Sequence, residues 1–181
     1  VHDKSLISES TIYVSLEPCA HYGKTPPCAL KIKELGFKKV VIGAMDSHDK
    51  VNGKGKKIIQ DAGIEVVSGV LEKECVQLNK RFFTFHEKKR PYIILKWVQS
   101  GDGFIDKDCN PVSISNSLVN QFVHQLRADE HAILVGTNTA LNDNPTLTVR
   151  NVEGENPIRI LIDFELKVPQ DFNIYNQEAR T

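Results

Sequence analysis

Residues 16–28 read LEPCAHYGKTPPC. Two cysteines stand nine positions apart, with a histidine between them and a proline pair just before the second. The residues on either side of this stretch decide the fold of the first half. Before it, TIYVSL at 11–16 is β-branched and aromatic and predicts a short buried strand. After it, Thr25 is a candidate helix cap, with Pro26 tolerated at the first helical position. Cys28, Ile32 and Leu35 then fall on one face, and Gly36 is a stop signal.

The same alternation continues outward. Residues 40–44 predict a second strand, and NGKG at 52–55 opens a helix through Ile58 and Ile59 that ends at Gly63. Residues 64–67 predict a third strand and 71–85 a third helix. Strand and helix alternate three times, which implies an α/β fold with a mainly parallel sheet covered by helices. The charged, proline-ended HEKKRP at 86–91 interrupts this pattern, so two domains are expected, 1–87 and 88–181. In the second, a strand is predicted over 92–100, an irregular segment over 101–113 and a helix over 117–127. Val119, Phe122, Val123 and Leu126 form the apolar stripe of that helix. Buried strands are predicted at 131–136 and 158–162. Between them lie an Asn- and Asp-rich loop ending in Pro145 and a short strand over 147–150.

Composition narrows the class. Hydrophobic residues make up 40% and charged residues 25%, ordinary for a core-forming protein. The formal net charge is zero, against the basic excess of nucleic-acid or membrane-surface binders. No apolar window approaches the roughly 18 residues of a membrane span; the best run, 92–98, contains Lys96. Four cysteines are too few for a disulfide scaffold, and no signal peptide is visible, so reduced thiols and a cytoplasmic location are expected. Neither Cys75 nor Cys109 is assigned a function. A start at Val1 without methionine is read as the start of a fragment.

Taken alone, Cys19 and Cys28 have two readings. Both are thiolates bound to zinc, or both are small buried residues beside a loop. The spacing favours the second, since C-x8-C is not a common structural zinc signature. The surrounding residues reverse that. LEPCAHYGKTPPC resembles the second zinc-binding segment of the bifunctional deaminase–reductase of riboflavin biosynthesis, a member of the zinc deaminase superfamily. The resemblance implies Cys19 and Cys28 as zinc ligands, and His21 and Lys24 as residues of a substrate loop. The family's H-A-E motif, which supplies a histidine ligand and the proton-shuttling glutamate, is absent from these residues and expected upstream of Val1. His2 does not replace it, and Glu17, following a strand, is read as structural.

Further on, AMDSHDKVNGKG resembles a family loop that precedes a helix, but Ser47 and His48 replace its usual proline–asparagine pair. Gly53 and Gly55 either cradle a phosphate through backbone amides or form a plain helix-entry turn; the sequence leaves both open. Asn79, Phe82 and Phe83 also match, the phenylalanines as core.

The second half resembles the start of the family's reductase domain through PYIILKWVQSGDG, QLRADEHAILVG and TALNDNPTLTVR. The implied architecture is the C-terminal part of a cytidine-deaminase-like three-layer α/β/α domain, followed by the N-terminal part of a dihydrofolate-reductase-like α/β domain. From the residues alone, Thr139, Asn142, Asp143 and Asn144 suit a ribose or amide, and Arg127 and Arg150 can fork onto a phosphate. The resemblance carries Arg127, Leu147 and Arg150 over as substrate contacts. It carries Val98, Thr139 and Asp143 over as NADPH contacts. Ser113 stands at a further cofactor position in the place of the family's usual tryptophan, and Phe164 replaces a small polar residue. A phosphorylated pyrimidine substrate and a homo-oligomer are expected, with no nucleic-acid or membrane partner. Two rivals remain: a nucleoside or RNA deaminase with an unrelated second domain, which typically has P-C-x-x-C, and a non-catalytic zinc-stabilised module.

Overall fold

The computed structural model describes residues 4–48, 51–107 and 112–181. The chain divides into two compact units, Val1–Ile94 and Leu95–Thr181, a division that falls after the 87/88 boundary expected from composition.

The first unit is built on three parallel strands in the order β1 (Thr11–Leu16), β2 (Lys39–Ala44), β3 (Glu65–Ser68). Val14 pairs with Ile42, and Val40 with Val66. Helix α1 (Cys28–Leu35) crosses from β1 to β2, and α2 (Lys54–Asp61) from β2 to β3. Alternation along β2 divides its side chains between the two faces. Val40 and Ile42 pack with Ala29 and Ile32 of α1 and Ile59 of α2 in the buried core. On the other face, α3 (Glu72–Leu78) comes so close that a Cβ on Gly43 would lie 2.2 Å from the Cys75 sulfur. Helices therefore cover both faces of the sheet.

Three local expectations change in this unit and across its boundary with the second. Thr25 does not cap α1, which begins at Cys28 after Pro27. Its first donors go to Cys19 instead: Cys28 N–H to Sγ at 3.2 Å and Ala29 N–H to the carbonyl at 3.1 Å. The single helix expected over 71–85 is two, α3 and α4 (Lys80–Lys88). The break falls at Asn79, whose amide donates to the Cys75 carbonyl (2.8 Å) and competes with regular helix bonding. No strand forms over 92–100. Extended backbone becomes a strand only beside a partner that takes its hydrogen bonds, and among the described residues none does.

In the second unit α5 (Ser117–Asp129) precedes a parallel pair, β4 (Ala132–Gly136) and β5 (Ile158–Ile162), in register from Ala132–Ile158 to Gly136–Ile162. Asn116 caps α5 by accepting from Val119 N–H at 2.9 Å. The expected Asn- and Asp-rich loop begins with a helix, α6 (Thr137–Asp143), closed by Asn144 at φ 39°. Ala140 is its buried anchor, packed with Leu147, Val168 and Ile174. The short strand expected over 147–150 is absent. Leu147 has φ 55°, and the N–H groups of Val149 and Arg150 go to the Asn156 and His124 side chains. The strands expected to be buried are buried on one face only. Leu134, Ile158, Ile160 and Ile162 are exposed on the other, as is Phe122 (67%) on the α5 stripe. Periodicity reports which face is apolar, not whether a neighbour covers it.

A buried cation organises the end of this unit. Arg159 on β5, 1% exposed, donates from its guanidinium to the carbonyls of Thr146, Asn173, Asn176 and Ala179 and to Asn176 Oδ1. Among the described residues, no helix is long and apolar enough to cross a membrane. Cys19, Cys28 and Cys75 are free thiols, and Cys109 and His2 lie outside the described residues.

Candidate functional site

The cysteine stretch forms the turn between β1 and α1. Because Cys19 supplies both its sulfur and its carbonyl to the first turn of α1, the two thiols are held together. A hydrogen bond with Cys19, desolvation and electrostatic repulsion from Cys19 all push the Cys28 thiol up; its own backbone N–H opposes this. Two thiolates side by side repel. A divalent cation between them removes that conflict, because a coordinating thiol is deprotonated by the ion's charge. The pair therefore suits two positions of a tetrahedral zinc site. Among the described residues, no third histidine, cysteine or carboxylate joins them. Lys24 is exposed. His21 is also exposed, its ring 6.2 Å from that of His48.

Glu17 begins a second set of contacts. It is 3% exposed, and its oxygens accept from the N–H groups of Asp46 (3.3 Å), Gly53 (2.9 Å) and Lys56 (2.9 Å). The loop after β2 and the first turn of α2 are thereby tied to the cysteine turn. This decides between the two readings of Gly53 and Gly55. Lys54 N–H is also used, on Val51 O at 2.6 Å. The first-turn donors that a phosphate would need are largely taken by the protein's own carboxylate, so the phosphate cradle is set aside. Gly53, at φ 82°, serves the turn, and Gly55 serves a close approach of the chain to Pro18.

In the second unit Arg127, Arg150 and His124 converge. Arg127 is half-buried and donates from Nη1 to Thr148 O at 2.5 Å, while its Nε is buried without a hydrogen-bond partner among the described residues. Burial and the neighbouring Arg150 charge push its pKa down. Arg150 is exposed, bonds Thr146 Oγ1 at 3.0 Å and gives its backbone N–H to His124 Nδ1 at 3.0 Å. Burial, then the charges of Arg127 and Arg150, push the His124 pKa down. Leu147 turns its side chain into the core, which leaves its backbone for any contact. On α6, Thr139 and Asp143 are four residues apart, hence on one face, and both are exposed. Val98 is half-buried in the unpaired segment, and Ser113 is exposed with its hydroxyl 3.5 Å from Ser115 O.

Residues 91–181 match the family described as RibD C-terminal domain. The chain belongs to the RibD family. It is similar to the riboflavin biosynthesis protein RibD of Aquifex aeolicus (strain VF5), at 43% identity over 93% of this chain and 48% of that protein. The RibD of Escherichia coli (strain K12) is 37% identical over 95% of this chain and 51% of its own length. Among solved structures, a diaminohydroxyphosphoribosylaminopyrimidine deaminase/5-amino-6-(5-phosphoribosylamino)uracil reductase from Thermotoga maritima aligns with TM-score 0.86 and 41% identity. That alignment covers 94% of this chain and 49% of the other. Acinetobacter baumannii RibD aligns with TM-score 0.85 and 34% identity, over 95% and 50%. The chain thus spans about half the length of the RibD proteins it matches.

Against the RibD expectations, the structure brings Cys19 to Cys28 and Arg127 to Arg150. It does not bring Val98 or Ser113 against Thr139 or Asp143 through any hydrogen bond among the described residues. Sequence reasoning missed His124 and Arg159 altogether. Arg159 sits among apolar residues on a predicted strand, whereas His124 lies away from the apolar stripe of its predicted helix, so periodicity pointed to the wrong face there.

Proposed function

We propose that the chain is part of a bifunctional riboflavin-biosynthesis enzyme, carrying a portion of a zinc-dependent deaminase and a portion of an NADPH-dependent reductase. The observation that carries this reading is the convergence of Cys19 and Cys28 in a chain similar over nearly its whole length to the Thermotoga maritima deaminase/reductase. The deaminase hydrolyses the amine of a diaminopyrimidinone ribosylamine phosphate. Cys19 and Cys28 would hold the zinc, which when bound would supply an activated water. His21 and Lys24 line the substrate side of the turn.

In the reductase, NADPH would supply the hydride that, together with a proton, reduces the ring-opened ribosyl carbon to a ribitylamine. Hydride transfer depends on holding cofactor and sugar face to face more than on an acid. Thr139 and Asp143, with Val98 and Ser113, are assigned to the cofactor. Arg127, Leu147 and Arg150 are assigned to the phosphorylated substrate. Two adjacent guanidiniums, one with a buried Nε lacking a partner, support an anion there.

The test uses the full-length, zinc-supplied protein. Ammonia release from the diaminopyrimidinone substrate and NADPH oxidation with the deaminated product are both expected. Failure to bind or oxidise NADPH overturns the bifunctional reading. Zinc-edge anomalous scattering at the two sulfurs is expected, and ordered, metal-free Cys19 and Cys28 would overturn the metal assignment.

A further inference from the structure

His124 is a buried polar side chain to which neither proposed reaction gives a role. It stands on α5 away from the apolar stripe of that helix, yet only 7% of it is exposed. What it meets there is backbone: its Nδ1 accepts the Arg150 N–H at 3.0 Å. An amide N–H only donates, so the ring nitrogen facing it carries no proton. Arg127 follows three residues on, a neighbour on the same side of the helix, and donates from Nη1 to Thr148 O at 2.5 Å. Helix α5 therefore grips the segment from Thr148 to Arg150 at two points, once as acceptor and once as donor. The segment depends on such side-chain partners. With Leu147 at φ 55° it joins no strand, and Val149 N–H goes to Asn156 Oδ1 at 2.7 Å. Arg150 leans on the same stretch, its Nη1 on Thr146 Oγ1 at 3.0 Å. Two guanidiniums are thus anchored two residues apart, at Thr146 and Thr148. Burial and the repulsion between them both disfavour that arrangement, in the direction of a lowered Arg127 pKa. An anion shared by the two offsets the repulsion.

We propose that His124 is a positioning residue for this arginine pair. By tethering the Arg150 backbone to α5, it fixes the Arg150 guanidinium relative to Arg127, so that both address one phosphate group. The inference rests on the reading of Arg127 and Arg150 as contacts of the phosphorylated substrate, and adds the residue that sets their spacing. His124 itself touches neither substrate nor cofactor. Asparagine is the natural probe of the tether, since its side-chain oxygen can accept the same N–H. Alanine leaves that donor without a partner.

The experiment uses the full-length protein, NADPH and the deaminated ribosylamine phosphate. His124→Ala is expected to raise the reductase KM for that substrate on the order of tenfold, the upper range for one lost hydrogen bond. kcat and the Kd for NADPH are expected to stay near wild type. His124→Asn is expected to recover most of the loss. In an Arg150→Ala background, His124→Ala is expected to add less than about twofold, since a residue that acts through another is not additive with it. Equal KM values in the two His124 variants, a fall in kcat with KM unchanged, or full additivity with Arg150→Ala overturns the inference. Should His124→Ala fail to fold, amide hydrogen exchange on the wild type decides: the Arg150 N–H is expected to be as protected as the β4 amides, and loop-like exchange there overturns the tether. If Arg127→Ala and Arg150→Ala both leave KM unchanged in an active reductase, the parent reading fails, and this inference with it. A raised KM in those two beside an unchanged KM in His124→Ala overturns this inference alone.

Discussion

Gly55 lacks a side chain where Pro18 leaves no room for one: an added Cβ would lie 1.8 Å from the Pro18 carbonyl oxygen and 3.0 Å from its carbon. The obstacle is backbone and cannot swing aside. Gly55→Ala is therefore expected to destabilise the first unit by about 3 kcal/mol, the upper range of overpacking. Gly53→Ala meets nothing within 4 Å and pays only for its positive φ, about 1 kcal/mol. Urea unfolding midpoints of the two variants check the order, and equal losses would refute the close approach.

Gly43 makes a different approach, to a side chain. Its added Cβ would sit 2.2 Å from Cys75 Sγ and 2.8 Å from Cys75 Cβ. Gly43→Ala is expected to cost about 2 kcal/mol. Cys75→Ala in the same chain removes the sulfur and should recover part of that loss. The double-mutant cycle should give a coupling of about 1 kcal/mol; strict additivity would mean that α3 does not pack on that strand.

His124 makes the second unit sensitive to acid. Burial and two neighbouring guanidiniums lower its pKa in the folded state from the ordinary 6.5. The unfolded chain then binds the proton more readily than the folded one, so stability rises with pH between the folded pKa and 6.5 and is fully present above 6.5. Thermal unfolding should show a loss of stability as pH drops below about 6.5. His124→Asn, which keeps an acceptor for Arg150 N–H, should flatten that slope. An unchanged slope would assign the acid sensitivity elsewhere.

The first unit was largely legible because its signals are local. Strand β1 runs over the residues its β-branched pattern predicts, and Gly36 stops α1 in the left-handed conformation, at φ 67°. The second unit was less so because its structure depends on distant partners. Residues 92–100 carry a strand pattern without a strand beside them, and Leu147 abandons the extended form for a core position at φ 55°. In the site, the cysteine pair could be recognised from its motif. The capture of the α2 donors by Glu17 could not, because the partners lie up to 39 residues away. Arg159 was hidden for the same reason: nothing in IRILI shows that four carbonyls will gather around its arginine.

That gathering makes Arg159 the most exacting residue of the second unit. Its guanidinium joins Thr146, on the approach to β5, with Asn173, Asn176 and Ala179 near the end of the chain. Methionine matches the bulk of the stem but leaves those carbonyls without the guanidinium donors. Arg159→Met is expected to cost about 3–5 kcal/mol, the range for removing one partner of a buried polar cluster. Lysine keeps the charge, but its single ammonium cannot reach acceptors spread around a planar fork. Arg159→Lys should therefore recover less than half of the loss. Because the Arg159 backbone N–H also bonds Arg180 O at 2.8 Å, the 173–181 segment should lose amide-exchange protection in both variants. A stable Arg159→Met protein with that segment still protected would show that apolar packing alone holds it.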